Sequence, residues 1–302
     1  WTDTSLFTMR FIGQPLTFGF QQVGTNCGLI GQNAALEVDG AAYWLSENGF
    51  FRYSGSLETM TCLVEDFVYN DLNTTANQLI NVGLNNLFGE ITWFYCTESS
   101  TVVNRCVTYN YQDSSPQRPV WTTGTLARGS WTDSSVFGLP HATFFNASDD
   151  ASFDVQGNTE GSTIYFEHEK GTDEALANGV NAVTSNIESG DFDITQARSS
   201  TGQQTGVATF KGDGEFLMKI RRFIPDFLSQ TGNTQVTLQL RNYPNSSQAS
   251  SPLGPFTITS STDKVDTRAR ARAISLKVAN TAVGQSWKLG TFRLDTQPDG
   301  RR

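Results

Sequence analysis

Apolar positions recur along the chain in short alternating runs separated by turn residues, the pattern of antiparallel strands. Runs at 34–38, 41–46 and 50–53 are divided by Asp39-Gly40 and Asn48-Gly49 and closed by Ser54-Gly55. Asp-Gly and Asn-Gly supply the positive-φ pair that two-residue hairpin loops need, so this stretch predicts a three-stranded meander. A short helix is predicted over 64–72, where Val64, Phe67, Val68 and Leu72 share one face. Residues 74–87 fit a helix or a strand, since Leu79, Val82 and Leu84 serve either.

A second meander is expected from the runs at 90–96, 102–111 and 120–124, rich in Trp and Tyr. A third begins near Trp131 and continues through 141–145 and 163–168. The units recur at roughly the 40–50-residue spacing of propeller blades. Residues 171–210 are polar and Gly-rich, with 187–194 the one strand-like piece. Longer strands are expected at 215–224, 235–241, 255–260, 268–278 and 286–294, with 242–255 a loop rich in Ser and Pro. The expected fold is all-β: acidic propeller-like blades of antiparallel meanders over 1–210, and a basic sandwich-like or sheet-completing region over 211–302. Residue 1 is Trp rather than Met, so the chain is read as processed or as a portion of a longer one, and its first strand as one that could lack its partner.

Charge sharpens this division. Residues 1–210 carry seven Lys and Arg against 23 Asp and Glu, a net −16, whereas 211–302 carry 14 against seven, a net +7. An acidic body argues against an open nucleic-acid-binding face over most of the chain. It is compatible with a conduit that passes nucleic acid without holding it. Charged residues are only 17% of the chain, below the roughly 25–35% that keeps a designed surface monomeric. Low charge therefore favours a permanent assembly. No apolar run approaches the ~18 residues of a membrane span.

Candidate chemistry is sparse. Four cysteines without a Cys-x-x-Cys spacing, and only two histidines, give no zinc set. The thiols are expected to be reduced, with Cys96 and Cys106 near neighbours across a hairpin. No Walker loop, dinucleotide fingerprint or GxSxG elbow is present, and no cofactor is expected. Glu167-His168-Glu169 is the string most like a metal or acid/base site. On a strand, Glu167 and Glu169 would share one face and His168 would point away. That arrangement favours a structural or interfacial role, with a glycan-cleaving pair of carboxylates as the alternative. Arg268, Arg270 and Arg272 also fall on alternate positions, followed by Ile274, Leu276 and Val278. A core face cannot begin with three unpaired guanidiniums. Either the strand overhangs the core to meet a neighbour's acids, or a bulge near Ala273 flips the register. A phosphate ladder is the functional alternative.

Four blocks carry a resemblance: VGTNCGLIGQNAALEVDGAAYWLSENGFFRY (23–53), NRCVTYNY (104–111), WTTGTLARGSW (121–131) and SWKLGTFRLDTQPDGRR (286–302). Together they resemble the tail nozzle, or tubular tail protein, family of short-tailed double-stranded DNA phages. The resemblance implies β-propellers fused to further β domains and a sixfold homo-oligomeric ring below portal and adaptor. It implies a place in the virion tail after assembly in the host cytoplasm, with DNA passing along the axis during ejection, and no catalytic residues. A carbohydrate- or receptor-binding virion protein is the alternative.

Overall fold

The computed structural model describes residues 1–133, 136, 138–145, 163–176, 179–198, 204–209, 216–243 and 251–300. Strands dominate, with one α-helix and one 3₁₀ helix among the described residues. The chain divides into two compact units, Trp1–Lys170 and Gly171–Arg302. The expected division after residue 210 falls inside the second unit. Strand Ser185–Glu188 pairs with Ala273–Asn280, and Phe192 and Ile194 enter the core of that unit.

In the first unit, an expected meander becomes a four-stranded sheet, Ala35–Val38, Ala41–Ser46, Gly49–Tyr53 and Leu57–Thr59, in chain order. The helix forms at Glu65–Asp71. Val68 and Leu72 enter the core, but Phe67 is exposed, so the expected apolar face is only partly used. The ambiguous stretch resolves into both options: a 3₁₀ helix at Thr74–Leu79, then strand Asn81–Asn85. That strand opens a second chain-ordered four-stranded sheet with Glu90–Tyr95, Arg105–Asn110 and Trp121–Gly124. The third sheet has three strands, Ser130–Thr132, His141–Phe145 and Thr163–Glu167.

The opening strands of these three sheets lie side by side, and Asn33 bridges Asn81 in parallel. Tryptophans fasten the joints. The Trp93 indole donates to the Ala34 carbonyl at 2.9 Å, Trp121 to Thr61 at 2.9 Å, and Trp131 to Leu84 at 2.8 Å. A buried indole N–H needs such an acceptor. Trp131 lies directly over Gly83, where an added Cβ would sit 2.4 Å from the ring. The glycine is therefore required by close approach. In the central core Phe50 meets Trp93 edge to face and Trp121 at a tilt, with ring centroids 5.1 and 4.7 Å apart.

Ahead of these sheets stands a two-stranded hairpin, Ser5–Gly13 with Thr17–Thr25. Its base is held: Leu6 packs with Cys27, Trp44 and Phe51, and the Cys27 amide donates to the Thr4 carbonyl. Beyond the base its side chains are largely exposed.

In the second unit a four-stranded sheet runs Ser185–Glu188, Ala273–Asn280, Thr234–Arg241, Ser251–Ile258, and a three-stranded sheet runs Val265–Ala271, Met218–Ile224, Arg293–Pro298. Both supply one aliphatic core, with Met218, Ile220, Ala269 and Ala271 from one sheet and Val236, Leu238, Ile274 and Val278 from the other. The expected loop at 242–255 is shortened by strand Ser251–Ile258. Among the described residues that strand pairs on one side only, and an edge tolerates its Pro252 and Pro255. No helix among the described residues is long and apolar enough to cross a membrane.

Candidate functional site

The three-stranded sheet of the second unit carries most of the candidate chemistry on its outer face. In Met218–Ile224 the spacing of Ile220 and Phe223 would put them on opposite faces of a regular strand. A bulge between Ile220 and Arg222 lets both be buried. Against Arg293–Pro298 the extra residue is Arg221, which is exposed. In Val265–Ala271 strict alternation buries Thr267, Ala269 and Ala271 and exposes Asp266, Arg268 and Arg270. Thr267 Oγ1 donates to the Ile220 carbonyl at 3.0 Å, which ties the two strands at the bulge.

The outer face holds a cleft of about 430 Å³ lined by Lys219, Arg221, Thr267, Arg268, Arg270 and Asp299. Lys219 lies opposite Arg270 in the register. Arg270 Nε pairs with Asp299 at 2.6 Å. Alongside, Arg222 pairs with Asp266 at 2.8 Å and Asp295 at 3.8 Å. The Arg222 hydrogen bond holds the Asp266 carboxyl below its ordinary range. The cleft thus sets four cations against one carboxylate, a surplus suited to phosphate or carboxylate groups.

Arg272 does not join Arg268 and Arg270. It sits half-buried at a bend, its amide donating to the Arg241 carbonyl at 3.0 Å. There the chain leaves the three-stranded sheet and enters the four-stranded one at Ala273. One long strand over 268–278 is thereby corrected to two. The register flip is the outcome that holds, because the bend places Ile274, Leu276 and Val278 in the core while Arg268 and Arg270 stay outside.

Glu167 and Glu169 lie in the first unit. The strand ends at Glu167, and Glu169 takes a left-handed backbone with φ 59°, so strand alternation does not run through them. Glu167 pairs with Lys170, and Glu169 accepts from Asn85 Nδ2 at 2.9 Å. His168 accepts from Arg128 Nε at 2.8 Å, and the Arg128 guanidinium lies 3.6 Å over Phe166. Burial, then the charge of Arg128, lowers the His168 pKa to about 4. A neutral imidazole anchoring an arginine is a structural device. Among the described residues no group of three His, Cys, Asp or Glu could hold a metal ion. All four cysteines are free. Burial pushes Cys96 and Cys106 up to about 11, and they share a small core with Phe94.

Sequence reasoning missed Lys219 and Arg221, because only the pairing of Met218–Ile224 with Val265–Ala271 brings them beside the arginine strand. It also missed a pocket of about 270 Å³ in the first unit, lined in part by Tyr43, Tyr109, Tyr111 and the Arg52–Glu58 pair. The rings of Tyr43 and Tyr109 are 6.2 Å apart. Their aromatic positions were visible, but the sheet packing that gathers them was not. Compared with known proteins, the chain matches no family model and no curated sequence.

Proposed function

We propose that the chain is a non-enzymatic structural subunit of a phage tail, a nozzle-type protein that forms a sixfold ring, conducts DNA during ejection and holds it before infection. The observation that carries the reading is the opposed charge of the two units. Residues 1–170 carry six cations against 18 acids, a net −12, and 171–302 carry 15 against 12, a net +3. Four cations of the second unit, Lys219, Arg221, Arg268 and Arg270, gather at one sheet face. Basic faces and acidic bodies of successive copies complement each other, which fixes register and steers association. Glu167 and Glu169 add carboxylates to the acidic side, and Arg268, Arg270 and Arg272 belong to the basic side. The side-by-side opening strands of consecutive meanders support propeller-like blades within this reading.

Protein is the favoured partner of the arginines. Six clusters of guanidiniums around one ring would add salt-dependent affinity for DNA with every phosphate neutralised, which opposes fast sliding. Electron microscopy of purified particles tests the reading, with Arg270→Ala scored for ring assembly and separately for DNA ejection. Loss of assembled rings is expected. Normal rings with a changed ejection rate would move the basic face to DNA, and a chain absent from particles would end the tail reading.

The pocket of Tyr43, Tyr109 and Tyr111 favours a second reading, carbohydrate binding. Aromatic faces beside an arginine–carboxylate pair suit a sugar ring and its hydroxyls. A soluble-glycan screen with Tyr111→Ala as control checks it.

A further inference from the structure

The hairpin Ser5–Gly13/Thr17–Thr25 is two-faced. Residues directly opposite in an antiparallel pair share a face. Met9 lies opposite Phe20, Phe11 opposite Phe18, and Phe7 opposite Gln22. One face is thus built from Phe7, Met9, Phe11, Phe18 and Phe20, which are 41, 61, 74, 48 and 71% exposed. The other face carries Thr8, Gln21 and Arg10, with Ile12 folded over Gly19. The apolar face presents about 500–600 Å² at the usual area of such side chains. That reaches the top of the range for the largest patch on a typical monomer. Among the described residues neither strand has a second partner, and a lone two-stranded hairpin is marginal in water.

We propose that this hairpin is an assembly arm whose apolar face docks on the acidic first unit of a second copy of this chain. Area is the first argument for a second copy. One arm seated on one neighbour buries about 500–600 Å² on each partner, about 1,000–1,200 Å² in total, which reaches the ~1,000 Å² that a specific interface clears. Charge is the second. Arg10 is the arm's only charged residue, whereas residues 26–170 carry five cations against 17 acids. A basic arm on an acidic body is self-complementary between copies. Such a contact is heterologous, the kind that closes rings. The receiving surface contains two exposed apolar residues, Leu63 just ahead of the helix Glu65–Asp71 and Phe67 within it, beside Asp66. That pair offers a seat for the aromatic face, and Asp66 adds to the negative field that draws the arm in.

The inference does not depend on a tail function, but it shares with that reading the claim that copies associate. The full chain is to be measured by sedimentation velocity, with Phe11→Ser and Phe20→Ser as variants. Each should weaken self-association about tenfold to a hundredfold and leave the unfolding transition in place. Should either variant unfold, Met9→Gln repeats the test with less change of shape. A photo-crosslinker at position 9, in mixed light and heavy isotope copies, should yield mixed dimers joined through the helix region near Phe67. A wild-type chain that stays monomeric to about 100 µM, or crosslinks confined to one chain or falling on the second unit, overturns the proposal. Arg270→Ala in the same assay separates the two readings. Association lost in Phe20→Ser and kept in Arg270→Ala supports the arm and removes the charge-pairing reading. The reverse removes the arm.

Discussion

The two units are both built from antiparallel strands, yet they hold their cores by different means. The first relies on large aromatic rings, with Trp44, Trp93 and Phe50 fully buried and indole N–H groups bonded to backbone carbonyls of neighbouring elements. The second relies on aliphatic and small side chains between two sheets, and places its arginines and ion pairs outside. The difference separates two jobs. An aromatic ring fixes both distance and orientation through one hydrogen bond, so the first unit is made to align sheets. Alternating Ala and Arg in Val265–Ala271 keep one face thin and the other charged, so the second unit is made to present a surface.

The strongest way to break this contrast is Trp93→Ala. It removes a fully buried ring and strands the Ala34 carbonyl, and should cost the first unit about 4–5 kcal/mol in denaturant unfolding. The matched change in the second unit, Leu238→Ala, should cost about 2–4 kcal/mol. Equal losses would erase the distinction between the cores. Gly83→Ala should cost about 1–3 kcal/mol by overpacking against Trp131, seen as a lower unfolding midpoint of the first unit.

Acid should sharpen the contrast further. His168 titrates near 6.5 when unfolded and about 4 when folded. Between these values the unfolded state binds the extra proton, so stability falls as pH drops through that window. For a partly exposed ring the loss should be about 1–2 kcal/mol, carried by the first unit. His168→Gln should flatten the pH profile, and an unchanged slope would show that His168 is not its source. The smallest expected effect is on the other side. Arg270→Ala should change folding of the second unit by no more than about 0.5 kcal/mol, because its pair with Asp299 is exposed. A larger loss would make that face part of the fold rather than a surface for partners.

Strands bounded by Asp39-Gly40 and Asn48-Gly49 were legible because the turn chemistry is local. Strand Asn81–Asn85 was not separable from a helix, since its partner Glu90–Tyr95 decides the matter. In the hairpin Phe7, Met9 and Phe11 alternate cleanly, but alternation does not say whether an apolar face is turned into a core, and this face lies outside. The alternation of Arg268, Arg270 and Arg272 is compatible with a bend or an overhang, and only the shared core of two sheets selects the bend. Glu167 and Glu169 show the same limit. Alternation describes a strand, and theirs ends at Glu167, two residues short of Glu169.

The bonded indoles also make each joint separately observable. The Trp44, Trp93, Trp121 and Trp131 side-chain N–H groups each donate to one carbonyl. Each should therefore give a solvent-shielded proton whose exchange with deuterium requires that joint to open. Trp44 and Trp93, fully buried, should exchange last, and the half-buried Trp131 first. Four resonances would then time the loosening of the first unit joint by joint, with the Trp131 contact to Leu84 as the earliest to give way.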